Sequence, residues 1–530
     1  MNPIRCRCFF RLWIWPRVVP AACILALWMS LAAAPCAAYA ADDKPVDAAA
    51  QALSDFEETW QVMYMGKARV GYTRSSSGRT TRDGRDVIVS DAENTTSIAR
   101  FGQTVKIRVL VKTEETAAGE LIGYQFEMQN PPAAPTLSTG RVDGEKLVIT
   151  TETNGKAKTK EIPWDGTVKA PNYQDRVLQK DPLKPGEKRT FKTFEPQVGS
   201  VITVTLEAGG KELRDVQLLD GKIKKLLEVK MTLSIMPGIA TYEYLDEKGT
   251  PLKTKVSLFN VETVSYAVSK EEALKALSGA EVDLAVATLV KTEKKIDRAR
   301  DARQVVYRVT IPGEDPESII SKGATQLITR VNPNSIDLTV RAISPPAPAP
   351  ENSEPPGKEF LTPNVYLQSD DELVKKHAAD AVGDETDPWK AAQRMEHWVW
   401  DNLKKKNFST LLASAAEVAK DLSGDCTEHS VLLAAMCRAR GIPSRVAVGL
   451  VYVPSLSAFG GHMWTEVFVR GTWVPLDATL GQGGIAADHI KFTDASFSDD
   501  GDGTAMTAFL PMVSALGKMK IEVKEVTHDK

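Results

Sequence analysis

The stretch Ser423-Gly424-Asp425-Cys426-Thr427-Glu428-His429-Ser430 places one cysteine at the start of a helical run. Val431 to Arg440 are mostly good helix formers, and Gly441-Ile442-Pro443 supplies a left-handed stop followed by a proline that cannot continue the helix. A thiol on a first turn meets unpaired backbone N–H groups and the positive end of the helix dipole. Both favour thiolate over thiol, so the position predicts an activated nucleophile at Cys426.

A base and its orienter come from two strands downstream. His462 to Val469 and Thr472 to Thr479 read as strands joined by Arg470-Gly471. A tight turn there pairs Val469 with Thr472, Trp464 with Asp477 and His462 with Thr479. His462 and Asp477 are then diagonal neighbours on one face, close enough for a carboxylate to hold an imidazole N–H. The set predicts acyl transfer: Cys426 attacks an acyl carbon, His462 takes and returns the proton, and Asp477 fixes the tautomer and stabilises the imidazolium. The backbone N–H of Cys426 and a neighbouring donor are expected to cradle the oxyanion.

Several residues are expected to support this site. Trp464 and Glu466 share the face of His462, so Trp464 is placed to wall the site. Glu466 is placed to serve the site or, more simply, to form a structural ion pair. His429 is one helical turn beyond Cys426 with nothing in the sequence to orient it, and Asp425 precedes the nucleophile. Cys437, mid-helix among Leu433, Met436 and Ala439, reads as packing. Cys426, His429 and His462 are metal-ligand types without a fourth partner or a recognised spacing, so neither metal nor cofactor is expected. Asp499-Asp500-Gly501-Asp502-Gly503 hints at a calcium loop but lacks the later glutamate of an EF-hand, and is expected to be a solvated turn.

Four blocks in order resemble the transglutaminase-like superfamily in its bacterial, exported branch. They are Gly424 to His429, Arg438 to Arg445, His462 to Glu466 and Trp473 to Thr479. The likeness runs from about Glu359 to Thr493. It implies a papain-like α+β catalytic domain with Cys426, His462 and Asp477 as nucleophile, base and orienter, acting on a protein or peptide substrate. Hydrolysis of peptide or isopeptide bonds is the expected outcome. Protein cross-linking is one alternative, and an envelope binding or assembly module with a weakly active or inactive domain is another. Transfer to a small amine is a third.

The elements around this site divide the chain. Residues 50–268 alternate in the manner of strands, with Asp83-Gly84, Asp143-Gly144, Asn154-Gly155 and Asp220-Gly221 as turns, and predict a large antiparallel β-rich domain or half-barrel. Its curved face is available to an envelope partner, although the sequence names no polar cluster there. Residues 269–344 predict a short helix, capped by Ser269 and running through Leu277, and a second β-rich region. The proline-rich stretch 345–358 reads as a stiff linker. In the catalytic domain, 359–497, Asp387-Pro388 opens a helix reaching about Lys405, and Ser414 with Glu417 forms a capping box. The tail, 498–530, closes with a strand in which Met519, Ile521 and Val523 alternate with charged residues.

The whole chain has 530 residues, 43% hydrophobic and 25% charged, with a formal net charge of −3. Scattered basic residues and a near-neutral balance give no reason to expect a nucleic-acid partner. Residues 1–40 carry an arginine-rich start, an apolar run from Val18 to Ala34 and a small-residue site at Ala38-Tyr39-Ala40, the pattern of a signal peptide. The expected location is periplasmic or secreted, with no membrane span after cleavage, or membrane-anchored if the segment stays. Cys6, Cys8, Cys23 and Cys36 leave with it. The mature chain keeps Cys426 and Cys437, about 16 Å apart along one helix and unable to form a disulfide.

Overall fold

The structure, a computed structural model, describes residues 54–529 apart from positions 83, 211, 260, 278–282, 347, 350–352 and 500–503. The segment read as a signal peptide, its four cysteines and most of the acidic turn after Asp499 lie outside the described residues.

The alternating N-terminal half pairs into one 15-stranded antiparallel sheet. Its first strand, Ser54–Met65, sits in the middle. Consecutive hairpins run outward on one side to Lys156–Pro163, and on the other side from Val261–Val268 back to Lys188–Glu195. The alternation seen in the sequence is the alternation of burial: Val105, Ile107, Val109 and Val111 point into the core between half-buried or exposed neighbours. The Asn154-Gly155 turn has φ of 49° and 72°, the positive pair that a two-residue hairpin needs, and joins Thr153 directly to Lys156. The inner face is more polar than the sequence suggested. A cavity of about 450 Å³ is lined there by Gln61, Ser75, Ser90, Asn172, Asp175 and Arg176 among others.

Ser269 caps Glu272 as expected, but the helix it opens covers only Lys270–Ala273. Ala273 is its one buried residue and Leu274 stays half exposed, so no apolar face rewards a longer helix. The second β-rich region forms a four-stranded sheet ordered Gln326–Asn332, Ser335–Arg341, Ala302–Thr310 and Lys520–His528. The C-terminal strand is thus an edge that buries Ile521 and Val523.

The C-terminal half packs helices against a five-stranded sheet, giving the β-rich plus α+β architecture expected. Its centre is the helix Cys426–Ala439, in which every residue from Cys426 to Arg438 is buried. The helices Glu372–Val382, Pro388–Asn402 and Ala415–Asp421 surround it, with strands Ser444–Val453 and Ala458–Val469 against another side. The strand bearing His462 begins at Ala458 rather than after Gly461, because its first two residues pair with Val290–Lys291. His489–Ala495, which the sequence reading left unassigned, pairs with Ser444–Val453. Among the described residues no helix is long and apolar enough to cross a membrane.

Candidate active site

Cys426 occupies the first position of its helix because Asp425 caps it. Asp425 Oδ1 accepts from Thr427 N–H at 2.9 Å, and Glu428 reaches back to Asp425 N–H, also at 2.9 Å. Gly424 enters this cap at φ +153°, where a side chain would meet the Glu428 Cβ at 2.3 Å. The C-terminus closes as the sequence required, with Gly441 at φ +73° and Ile442 N–H donating to Cys437 O.

The hairpin register places the other two side chains together. Val469 pairs with Thr472 across the Arg470-Gly471 turn, and the ladder runs back to Thr465 and Leu476. Asp477 follows the last paired residue, and His462 Nε2 lies 2.7 Å from its Oδ2. Asp477 Oδ1 accepts from Thr479 N–H at 2.8 Å, which fixes the carboxylate plane. His462 Nδ1 is buried without a hydrogen-bond partner and is the nitrogen left for a reacting proton. The Cys426 thiol meets the backbone N–H of Met463, the residue next to His462, so helix and strand abut at this point.

The thiol is not the resting thiolate that the sequence suggested. Cys426 is fully buried, and burial, with Asp425 adding to it, pushes its pKa well up; Arg100 and the Met463 N–H pull the other way. Burial also lowers His462, against the opposing pull of Asp477. Desolvation of the charged forms outweighs the helix terminus, so the resting pair is neutral thiol and neutral imidazole.

A residue that the sequence reading missed completes the site. His489 donates from Nε2 to Asp477 Oδ2 at 3.2 Å and from Nδ1 to Asp488 Oδ1 at 2.8 Å, while Asp488 pairs with Arg300. Burial works against its charge, but Asp488 and Asp477 together raise its pKa. Asp477 is held well below the carboxylate range despite its burial, by His462 and His489. The only sequence signal was Asp488-His489 itself, and nothing local in it points to Asp477.

Donor atoms of His462, Asp477 and His489 lie within 4.8 Å of one another, a spacing that could hold a metal ion. Both imidazole Nε2 atoms instead spend their protons on one Asp477 oxygen. The free Nδ1 of His462 also has no partner to orient the ring as a ligand. The donor set therefore fits a hydrogen-bonded relay better than a metal centre.

The remaining candidates fall into place around these groups. Trp464 is 2% exposed, stacks along His462 at 6.1 Å and meets His489 edge-on at 5.2 Å, so it walls the site. Glu466 turns away from His462 into ion pairs with Arg445 and Lys491. His429 pairs its Nδ1 with Asp425 O and its Nε2 with Lys406. Burial and Lys406 lower its pKa to about 3, which leaves it neutral. Cys437 is buried in the helix core. Asp499 accepts from Val365 N–H at 3.2 Å.

Residues 375–478, which span Cys426, His462 and Asp477, match the family model of the transglutaminase-like superfamily. The chain carries a transglutaminase-like domain. An uncharacterised protein of Haemophilus influenzae is 29% identical over 147 residues, 23% of this chain and 39% of that protein. The chain thus aligns with about two fifths of the curated relative. A candidate cysteine protease from Cytophaga hutchinsonii is similar in structure over 43% of this chain and 86% of its own, at 16% identity and a TM-score of 0.27. A β-barrel-like protein of unknown function from Brucella abortus is similar over 40% of this chain and 95% of its own, at 11% identity and a TM-score of 0.30.

Proposed function

We propose that this chain is an exported thiol acyl-transfer enzyme that hydrolyses peptide or isopeptide bonds through Cys426, His462 and Asp477. The observation that carries the reading is the buried His462, tethered through Nε2 to Asp477 with Nδ1 unspent, on a strand whose next residue meets the Cys426 thiol.

Because thiol and imidazole both rest neutral, attack and deprotonation occur together. As Cys426 Sγ bonds the acyl carbon, its proton passes to His462 Nδ1, and Asp477 stabilises the imidazolium without taking the proton. Collapse of the tetrahedral intermediate breaks the C–N bond, and the amine leaves with the proton from His462. A water molecule then gives its proton to His462 and its oxygen to the thioester carbon, and the acid leaves as Sγ is reprotonated. The buried, apolar surroundings strengthen each electrostatic step.

Thiol-directed labelling of the mature protein tests the nucleophile: Cys426, neutral at rest, should be alkylated with His462 as its base, and His462→Ala should slow that labelling. Equal rates in parent and variant would end the enzyme reading. The acceptor is tested with a glutamine peptide, where ammonia release unchanged by a primary amine marks hydrolysis and incorporation of the amine marks cross-linking. Export is tested by the N-terminal residue of the protein recovered from cells, expected near Ala41.

A further inference from the structure

A charged residue from the N-terminal sheet stands beside the catalytic helix. The strands Arg85–Arg100 and Gln103–Thr116 join through Phe101 and Gly102, at φ of 48° and 73°. This turn enters the C-terminal half. Phe101 packs on the Phe408 ring at 5.1 Å, and Gln103 Oε1 accepts from Phe408 N–H at 2.8 Å. On the other side Gly102 N–H donates to Asp283 at 2.9 Å. Held on both sides, the turn presents Arg100, whose side chain is 0% exposed.

Arg100 Nη1 donates to Thr410 O at 2.8 Å and Phe408 O at 3.3 Å, and Nη2 pairs with Asp425 Oδ2. The Asp425 cap uses its other oxygen, Oδ1, for Thr427. An N-cap needs only one acceptor, and serine or asparagine would supply it without charge. The Asp425 carboxylate instead adds a buried negative charge one residue from the reacting sulfur, and Arg100 is the cation that cancels it.

From this arrangement we infer that Arg100 is a positioning residue of the acyl-transfer site, and that the N-terminal sheet completes that site by neutralising Asp425 beside Cys426. The inference rests on the nucleophile reading of Cys426. Charged groups acting on the thiol are Asp425 from the cap, Glu428 from its own helix and Arg100 from the sheet; His429, close by on that helix, faces Lys406, His462 and Asp477. Of these, Glu428 is kept protonated into the neutral range by burial and by Asp425. Without Arg100 the Asp425 charge falls on the thiol uncompensated, and ionising or deprotonating Cys426 becomes harder.

The test is the pH dependence of iodoacetamide alkylation of Cys426 in the full chain, read by peptide mass mapping so that other cysteines do not interfere. Arg100→Met should label about tenfold more slowly at pH 7, with its profile moved to higher pH, and Arg100→Lys should restore part of the rate. Asp425→Asn keeps an N-cap. It should move the profile to lower pH, and adding Arg100→Met to it should return the profile toward the parent. That pair of variants reads the charge effect even if Arg100→Met alone does not fold. A merely structural Arg100 would lower the melting temperature and leave every profile in place, and that result overturns the inference. An Asp425→Asn background in which Arg100→Met changes nothing overturns it too. If Cys426 labels at the same rate in the parent and in His462→Ala, the nucleophile reading itself fails, which is a different result.

Discussion

Replacing His489 with glutamine should separate the two jobs that this second histidine holds. His489 makes two buried, charge-assisted hydrogen bonds, 3.2 Å to Asp477 and 2.8 Å to Asp488. Each such bond is worth about 1.5–3 kcal/mol. Glutamine keeps one neutral donor toward Asp477 and loses the bond to Asp488. Arg300 still pairs with Asp488 and His462 with Asp477, so neither carboxylate is orphaned. The expected loss of stability is therefore about 2–4 kcal/mol, at or below the cost of breaking a buried ion pair outright. The catalytic effect has the opposite character. His462 loses a neighbouring cation that lowers its pKa, and the Asp477 charge no longer serves two imidazoles. The imidazolium of His462 is thereby favoured, and the acid limb of the alkylation or hydrolysis profile should move to higher pH. At its plateau the rate should stay within about tenfold of the parent, because the 2.7 Å bond to Asp477 survives. Urea unfolding and a pH–rate profile on the same protein supply both readings. A variant that is destabilised while its acid limb stays in place, or moves to lower pH, refutes the electrostatic role of His489.

Asp477→Asn should lower kcat/KM by on the order of 10³–10⁴-fold, since an amide carries no charge to stabilise the imidazolium and frees His462 to adopt the wrong tautomer; a loss within tenfold would remove Asp477 from the mechanism. Gly424→Ala should cost about 2–5 kcal/mol, because its Cβ would fall 2.3 Å from the Glu428 Cβ at a backbone angle of φ +153°, and should slow Cys426 labelling as the cap shifts. The combined contribution of His489 and His462 to thermal stability should be greatest near the ordinary imidazole pKa of about 6.5. Above it, the contribution of His489, whose folded pKa is raised, is lost as pH climbs through that value. Below it, His462, whose folded pKa is depressed, costs stability as the unfolded chain takes up its proton, and the lowered Asp477 and Asp488 lose theirs at still lower pH. Melting temperatures of parent and His489→Gln across pH 4–10 check this: the advantage of the parent should shrink as pH rises above about 6.5.

What the sequence carried and what it hid follow from the range of the interactions involved. The hairpin register could be read from the two-residue turn because a period of two leaves one face for His462 and little freedom for Asp477; the ladder follows it from Val469–Thr472 to Thr465–Leu476 and stops short of the expected Trp464–Asp477 and His462–Thr479 pairs. The cap, the helix stop and the outer hairpins are equally local. The helix Glu372–Val382 was also written locally, with Asp371 capping and Val374, His377, Ala378 and Val382 buried at helical spacing, but its short apolar stripe was diluted by charged residues. His489 and Arg100 were out of reach for another reason. Each acts across the fold, His489 from a strand two neighbours away in the sheet and Arg100 from 325 residues upstream. The charge state of Cys426 depends in part on that distant Arg100. Its helix-start position argues for a thiolate, and burial reverses that. A local motif can thus place a nucleophile, while its protonation is set by whatever the rest of the chain packs around it. Here that includes a β-sheet domain that contributes no residue to the Cys–His–Asp set itself.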